Sequence, residues 1–177
     1  VHLGADLIDT DVIAHQLTAP EGKALPTLRD AFGESIFFPD GTLNRTALRQ
    51  QVFSDLQAKT QLENILHPLI QTAVMQALHE CHAPYQLIAI PLLLESGFFR
   101  AQAQRVCVVD CTPEQQIERV MIRSGLKAAE VNAILAQQVS RTQRLAAADD
   151  VLDNSSTLDA LHQQIDKLHW QYLQYAA

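Results

Sequence analysis

Two apolar runs limit the fold of this chain more than any other feature. YQLIAIP (85–91) and RVCVVDC (105–111) are short and rich in aliphatic residues, without alternation between apolar and polar positions. Such runs are typical of parallel strands covered on both faces. ADLID (5–9) and DVLDN (150–154) are two further predicted strands, and helical segments lie between and after the four runs. The order predicts an α/β fold with a parallel sheet.

The uneven spacing of the strands predicts the domain organisation. Residues 14–83 are too long for one crossover helix, and we interpret them as a helical insertion at the ligand-binding edge of the sheet. Residues 113–147 are a second helical insertion, since Thr112 is a good N-cap and Pro113 suits the first helical position. The remaining residues would form the α/β core: 1–13, 84–112 and 148–177.

Composition and charge exclude several classes of protein. The chain of 177 residues has a net charge of −7 and no run of Lys or Arg, which argues against a nucleic-acid partner. The longest apolar stretch is interrupted by Pro91 and Glu95, so we expect no membrane partner either. There is no secretory signal, and the three cysteines are predicted to be free thiols. We therefore expect a cytoplasmic protein.

Two carboxylates stand where the first strand gives way to a helical pattern. Residues i and i+2 of a strand point to the same side, so Asp9 and Asp11 would face one spot at the strand's carboxyl end. Open α/β sheets bind ligands at this edge. Two carboxylates at such a short distance repel each other unless a cation or a proton donor lies between them. The alternative is that Asp11 is the N-cap of a helix that starts at Val12.

Residues 113–147 contain four arginines in two pairs, and each pair lies on one helix face. The pairs are Arg119 with Arg123 and Arg141 with Arg144. Guanidinium groups suit phosphate oxygens, so the segment is a candidate phosphate site. The alternative is a solvated face whose charges are balanced by nearby carboxylates. Those carboxylates are Glu118, Asp149 and Asp150.

Other charged or polar residues are weaker candidates when taken singly. Glu95 follows a buried strand, as a ligand-side carboxylate or a helix cap. His67 precedes Pro68, is predicted to open a helix, and is either structural or functional. Arg45, in the first insertion, is an anion contact or a surface residue. Carboxylates at strand ends together with arginines on helical segments are typical of phosphoryl transfer.

Six segments resemble the dephospho-coenzyme A kinases, in order and at compatible spacing over essentially the whole chain. They are LGADLIDTDVIAHQL, FGESIFFPDGTLNRTALRQQVF, ILHPLIQ, IPLLLESGFF, RVCVVDCTPEQQIERVMIRSG and QQVSRTQRLAAADDVLDN. The resemblance implies a P-loop kinase-like three-layer fold with a five-stranded parallel sheet. It also implies that 14–83 binds the coenzyme A moiety and that 113–147 is a small lid. The implied reaction is the last step of coenzyme A biosynthesis, in which ATP phosphorylates the ribose 3′-hydroxyl of dephospho-CoA.

The resemblance also implies roles for particular residues. Asp11 matches the family's catalytic aspartate, and Asp9 would orient it or hold the hydration shell of Mg²⁺. Residues on the ATP side would be Arg119, Arg123, Arg141, Arg144 and, near the adenine, Asn154. Residues on the acceptor side would be His67, Arg45 and Glu95. The oligomeric state stays open between a monomer and a small homo-oligomer.

The sequence departs from the family pattern in its phosphate-binding loop. The family's GxxxxGK[ST] motif does not occur in residues 1–177, where Gly22-Lys23 is followed by Ala24. We expect that a strand, this loop and part of a helix, about 20–25 residues, precede Val1, and that the chain without them transfers phosphate inefficiently.

Two other interpretations compete with this one. Shikimate kinases also carry a DTD motif, but their small substrate does not need the insertion 14–83. A non-catalytic nucleotide-fold module is the other alternative. The codons upstream of Val1 discriminate, because a GxxxxGK[ST] motif there favours the enzyme and a start codon favours the module.

Overall fold

The computed structural model describes residues 2–97 and 99–176. The chain divides into two compact units, Val1–Ile90 and Pro91–Ala177. Each unit contains one pair of parallel strands, β1–β2 in the first and β3–β4 in the second. The α/β class, the four strand positions and the parallel pairing are therefore confirmed. Among the residues described, hydrogen bonds join the strands in two pairs.

The first unit holds two strands and the helices between them. Strand β1 is Asp6–Asp9 and β2 is Gln86–Ala89, paired in register from Asp6–Gln86 to Asp9–Ala89. The helices are α1 (Thr10–Leu17), α2 (Leu25–Phe32), α3 (Arg45–Ser54) and α4 (Leu56–Glu80), with a 3₁₀ turn at Glu34–Ile36.

The helices of this unit enclose an apolar core. Leu28 and Ile36 are almost completely buried, and Leu17, Phe32 and Leu48 pack in the same cluster. Burial of one such side chain stabilises a fold by about 1.5–3 kcal/mol. The helical part of the first unit therefore has a core of its own beside the strand pair.

Helix α4 continues through Pro68, so the expectation that His67 and Pro68 open a helix is wrong. A proline inside a helix removes one backbone hydrogen bond and costs about 3 kcal/mol. Leu66 and Leu69 pack against the apolar core on either side of the proline, and Val74 is fully buried. Tertiary packing thus holds the helix together where the local sequence would end it.

One carboxylate connects the end of this helical segment to β1. The Asp6 Oδ2 atom accepts the backbone N–H groups of His82 and Ala83, each at 3.1 Å. These backbone hydrogen bonds, with that of Ala83 first, lower the pKa of Asp6. The chain is therefore fixed to the start of β1 just before it enters β2.

The second unit contains the other strand pair and five helical segments among its described residues. Strand β3 is Cys107–Asp110 and β4 is Asp150–Asp153, in register from Cys107–Asp150 to Asp110–Asp153. The helices are α5 (Leu93–Ser96), α6 (Pro113–Ser124), α7 (Ala128–Leu135), α8 (Arg141–Ala147) and α9 (Leu158–Ala176).

Helix α6 begins and ends as the sequence predicts. The Thr112 side chain accepts the N–H of Gln115, and Pro113 occupies the first helical position. Gly125 follows the helix with φ = 68°, a left-handed conformation that glycine adopts without a steric penalty.

An ion pair lies at the amino ends of β3 and β4. Arg105 Nε and Nη2 donate to the two oxygens of Asp150 at 2.8 and 3.0 Å. The Tyr172 hydroxyl donates to the same carboxylate at 2.8 Å, and the Arg105 guanidinium lies 5.0 Å from the ring centre of Tyr175. Helix α9 is thereby attached to the strands.

No helix of residues 2–97 and 99–176 combines the length and the apolar character that a membrane crossing requires.

Candidate active site

The carboxylates of Asp9 and Asp11 have different structural positions. Asp9 is the last residue of β1 and the N-cap of α1, and its Oδ1 accepts the N–H groups of Asp11 at 2.9 Å and Val12 at 3.3 Å. Asp11 lies in the first turn of α1. The expectation that both side chains extend from one strand is wrong, and so is the alternative that Asp11 is the N-cap. The strand ends two residues earlier than that geometry requires.

The Asp11 carboxylate is available to a ligand. Its residue is exposed, and the carboxylate forms no hydrogen bond or ion pair with any residue that the structure describes. The N-cap bond from Asp9 nevertheless fixes its backbone. Asp11 therefore combines a held position with free carboxylate oxygens.

Thr10 links this turn to the neighbouring strand, and the sequence analysis missed it. Its Oγ1 donates to the carbonyl oxygen of Ala89 at 2.9 Å, and the residue is only 8% exposed. The bond joins the start of α1 to the carboxyl end of β2. A short hydroxyl residue directly after a strand was the available signal.

The predicted acceptor-side residues of the first unit lie on its helices. Arg45 is the first residue of α3, and its Nη2 donates to the carbonyl oxygen of His15 at 3.3 Å near the end of α1. His67 lies within α4 and is partly exposed. Their contact with an acceptor stays a prediction.

Three of the predicted ATP-side residues meet at the carboxyl ends of β3 and β4. The carboxylate of Asp110, the last residue of β3, accepts Nε and Nη2 of Arg141, with Nη2 to Oδ2 at 2.6 Å. The Asp110 carbonyl accepts the N–H of Asn154 at 2.7 Å. Arg119 Nη1 in turn donates to the Asn154 carbonyl at 2.9 Å. We call Asp110, Arg119, Arg141 and Asn154 the strand-end cluster.

Charge within the strand-end cluster is concentrated on one ion pair. The Arg141 guanidinium lowers the pKa of Asp110, whose side chain is only 12% exposed, whereas that of Arg141 is 46% exposed. The carboxylate is thus ionised at neutral pH and bound to a cation that stays accessible to solvent. Asp110 is a second residue that the sequence analysis missed, although it follows the strand-end rule that selected Asp9.

The carboxylates expected to balance the arginines on a solvated face have other partners. Asp150 binds Arg105, and Asp149 accepts the N–H of Val106 at 2.7 Å. Arg141 binds Asp110 instead. The alternative interpretation of this surface is therefore wrong in its Asp149 and Asp150 partners.

Glu95 and Arg144 both hold the peptide groups of Val139. Glu95 Oε1 accepts the Val139 N–H at 3.0 Å, and Arg144 Nη1 donates to the Val139 carbonyl at 2.7 Å. Ser140, the next residue, is the N-cap of α8. The chain is therefore fixed just before Arg141.

Arg123 lies in the last turn of α6 and is exposed. Its guanidinium forms no hydrogen bond or ion pair within the described ranges, so its predicted phosphate contact rests on the sequence alone.

Comparison with known proteins gives a consistent result. The family model for dephospho-CoA kinase matches residues 1–160. The chain is 50% identical over 171 residues to the dephospho-CoA kinase of Aromatoleum aromaticum, covering 97% of this chain and 83% of the relative. It is 51% identical over 175 residues to that of Thiobacillus denitrificans, covering 99% and 87%.

Solved structures with the same fold include two that cover most of the chain. The crystal structure of TT1252 from Thermus thermophilus matches with a TM-score of 0.83 and 30% identity, covering 96% of this chain and 86% of that one. The dephospho-CoA kinase from Campylobacter jejuni matches with a TM-score of 0.70 and 26% identity, covering 99% and 89%. From its sequence and its fold, the chain belongs to the dephospho-CoA kinase family.

Proposed function

We propose that the residues described above serve one reaction, the transfer of the γ-phosphate of ATP to the ribose 3′-hydroxyl of dephospho-CoA. As a member of the dephospho-CoA kinase family, the chain carries out the last step of coenzyme A biosynthesis. A bond forms between the 3′-oxygen and the γ-phosphorus, the bond from that phosphorus to the ADP oxygen breaks, and the hydroxyl proton is removed. Such a reaction needs positioned charges more than covalent catalysis by the protein.

Asp11 is the proposed general base. The single observation that carries this role is an exposed carboxylate without a protein partner, on a turn that Asp9 caps and Thr10 ties to β2. A base must come within hydrogen-bond reach of the proton it accepts, and a carboxylate already bonded to the protein would first have to be released. A positioned base contributes about 10²–10⁴ to the rate.

The strand-end cluster is the proposed binding site for the phosphates and the adenine of ATP. Arg141 and Arg119 supply positive charge, and the Asn154 backbone carbonyl accepts a hydrogen bond from Arg119. Fixed guanidinium groups stabilise the charge that spreads over the transferred phosphoryl group. We extend the same role to Arg123 and Arg144 from the sequence resemblance.

Asp9 fits an indirect role toward Mg²⁺. Its Oδ1 is used by the helix cap, while Oδ2 forms no hydrogen bond with the residues described. Magnesium usually keeps several waters and binds through one or two carboxylates plus substrate phosphates. Mg²⁺ would neutralise phosphate charge when bound with ATP, and Asp9 Oδ2 would accept a hydrogen bond from a water of its shell.

Acceptor recognition is proposed for Arg45, His67 and Glu95. Dephospho-CoA carries a diphosphate, which an exposed guanidinium such as that of Arg45 suits. We further propose a cytoplasmic location, because Cys81, Cys107 and Cys111 are free thiols.

The test uses the enzyme translated from the complete reading frame that contains these residues. Purified enzyme is incubated with ATP, Mg²⁺ and dephospho-CoA, and the products are followed by phosphorus NMR. We expect one ADP for each new 3′-phosphomonoester. Binding of both ligands without turnover, or phosphorylation of another hydroxyl, would contradict the proposal.

A further inference from the structure

We propose that Asp110 is a positioning residue for Arg141, which it holds in the orientation that receives the ATP phosphates. The inference rests on the phosphate-binding role proposed above for Arg141. Asp110 is not among the residues expected to contact a ligand. Its carboxylate acts through the guanidinium of Arg141.

The contact between the two side chains fixes the plane of the guanidinium. Arg141 Nε lies 3.0 Å from each oxygen of Asp110, and Nη2 lies 2.6 Å from Oδ2. A carboxylate bound along the Nε–Nη2 edge restricts rotation of the planar group. Nη1 makes no hydrogen bond with any residue in 2–97 or 99–176. The Nη1 end is therefore left for a second anion.

Both partners are held by the surrounding chain. Asp110 ends β3, pairs with Asp153 and accepts the N–H of Asn154 through its carbonyl. Arg141 begins α8, which Ser140 caps through the N–H of Gln143. The ion pair therefore joins two fixed backbones, as expected of an arrangement formed before the ligand arrives.

A second ion pair of the same chemistry serves as an internal comparison. Arg105 and Asp150 meet at the amino ends of the same two strands, again through Nε and Nη2. There the carboxylate also binds the Tyr172 hydroxyl, and the guanidinium lies over Tyr175. That pair contacts two tyrosines of α9 and lies at the opposite end of the strands from the strand-end cluster, so Asp150 is a matched control for Asp110.

Removal of the Asp110 charge has two opposite effects on the KM for ATP. Loss of a negative charge near the phosphates would lower the KM for ATP. Loss of the hold on Arg141 would raise it. The sign of the change in KM therefore separates a positioning residue from a merely neutralising one.

The experiment compares D110N and D150N in the enzyme from the complete reading frame. We expect D110N to raise the KM for ATP about fivefold or more, with the KM for dephospho-CoA within about twofold of wild type. D150N lowers the denaturant midpoint of unfolding and leaves both KM values unchanged. A KM for ATP that falls or stays constant in D110N would overturn the inference.

A double-mutant cycle separates this inference from the function on which it rests. If Asp110 acts through Arg141, the D110N/R141A enzyme has the same KM for ATP as R141A alone. Additive effects would overturn the positioning role. An R141A enzyme with the wild-type KM for ATP would instead remove the phosphate-binding role of Arg141.

A further variant serves if D110N does not fold. R141K keeps the positive charge but loses the planar group that Asp110 holds. We expect its KM for ATP to approach that of R141A, and a wild-type KM would overturn the inference.

Discussion

The Oδ1 atom of Asp9 accepts the backbone N–H of Asp11 at 2.9 Å, so one candidate carboxylate fixes the backbone that carries the other. The two residues differ in kind, since Asp9 caps a helix and Asp11 presents an exposed side chain. Their contributions can therefore be separated by substitutions that change one property at a time.

Replacement of Asp11 by Asn removes the proposed base while preserving size and helix position. We expect kcat to fall at least about 100-fold with little change in the KM for ATP, because a proton acceptor acts mainly in the transition state. Steady-state kinetics measures both. Asp159→Asn is the control, since Asp159 occupies the first turn of α9 as Asp11 does that of α1. Wild-type turnover in the Asp11 variant would remove the assignment.

Replacement of Asp9 separates the helix cap from the proposed role toward Mg²⁺. Asp9→Ala should lower the free energy of unfolding by about 0.5–2 kcal/mol, whereas Asp9→Asn should stay within a few tenths because Asn is an equally good N-cap. Denaturant titration measures this difference. Although its stability is preserved, the Asp9→Asn enzyme should need a higher Mg²⁺ concentration than the wild type for half-maximal activity. An unchanged Mg²⁺ requirement would contradict the metal role and leave the cap intact.

Glu95 can hold the backbone that precedes α8, bind the acceptor, or do both. Glu95→Ala removes the acceptor of the Val139 N–H, so we expect faster amide hydrogen exchange at Val139. Glu95→Gln keeps a carbonyl oxygen as acceptor, so the Val139 amide hydrogen should exchange more slowly in this variant than in the Ala variant. The predicted acceptor contact requires, in addition, a raised KM for dephospho-CoA in both variants. A raised KM without any change in exchange would show that the backbone contact is dispensable.

The ion pair between Arg105 and Asp150 should make stability depend on pH. Arg105 lowers the pKa of Asp150, with a further hydrogen bond from Tyr172. The folded protein therefore binds fewer protons than the unfolded chain near the ordinary carboxyl pKa. The stabilisation by the ion pair is complete at a pH above the ordinary carboxyl pKa. It is lost as the pH falls through the lowered pKa of Asp150 in the folded protein.

The variant Asp150→Asn measures that contribution. At about pH 6 we expect the wild type to exceed it in free energy of unfolding by about 1 kcal/mol, a value that allows for the partial exposure of Arg105. The difference should shrink towards about pH 3, as denaturant titrations at both values would show. A constant difference would mean that the charge of Asp150 does not stabilise the fold. Asp166→Asn, on an exposed position of α9, is the control.

Local sequence patterns predicted the elements whose determinants are local. The strands at β2 and β3 follow from unbroken apolar runs, and α6 follows from Thr112 and Pro113 at its start. The Arg119 and Arg141 positions were found from the spacing of charges on helices. These signals lie within one or two turns of chain.

Most of the features that were missed depend on distant partners. Pro68 ends a helix in isolation, but packing on both sides of it keeps α4 intact. Asp110 gains its importance from Arg141, which lies 31 residues further along the chain. The position of Asp11 depended on whether the strand ended at residue 9 or later, and the cap formed by Asp9 decided it. The Asp9 cap is a local signal that the strand interpretation of residues 9–11 overlooked, whereas no local pattern contains the partners of Pro68 and Asp110.

The two ends of the helical segment in the first unit are fastened crosswise. Thr10 follows β1 directly, and its hydroxyl donates to Ala89 of β2. The N–H groups of His82 and Ala83, which precede β2, donate to Asp6 of β1. A shift of one residue between β1 and β2 would break both sets of hydrogen bonds, so these bonds stabilise the register of the two strands. Lengthening a closed segment costs free energy only as the logarithm of its length. Helices can therefore be gained or lost between these two fastenings while the alignment of β1 with β2 is preserved.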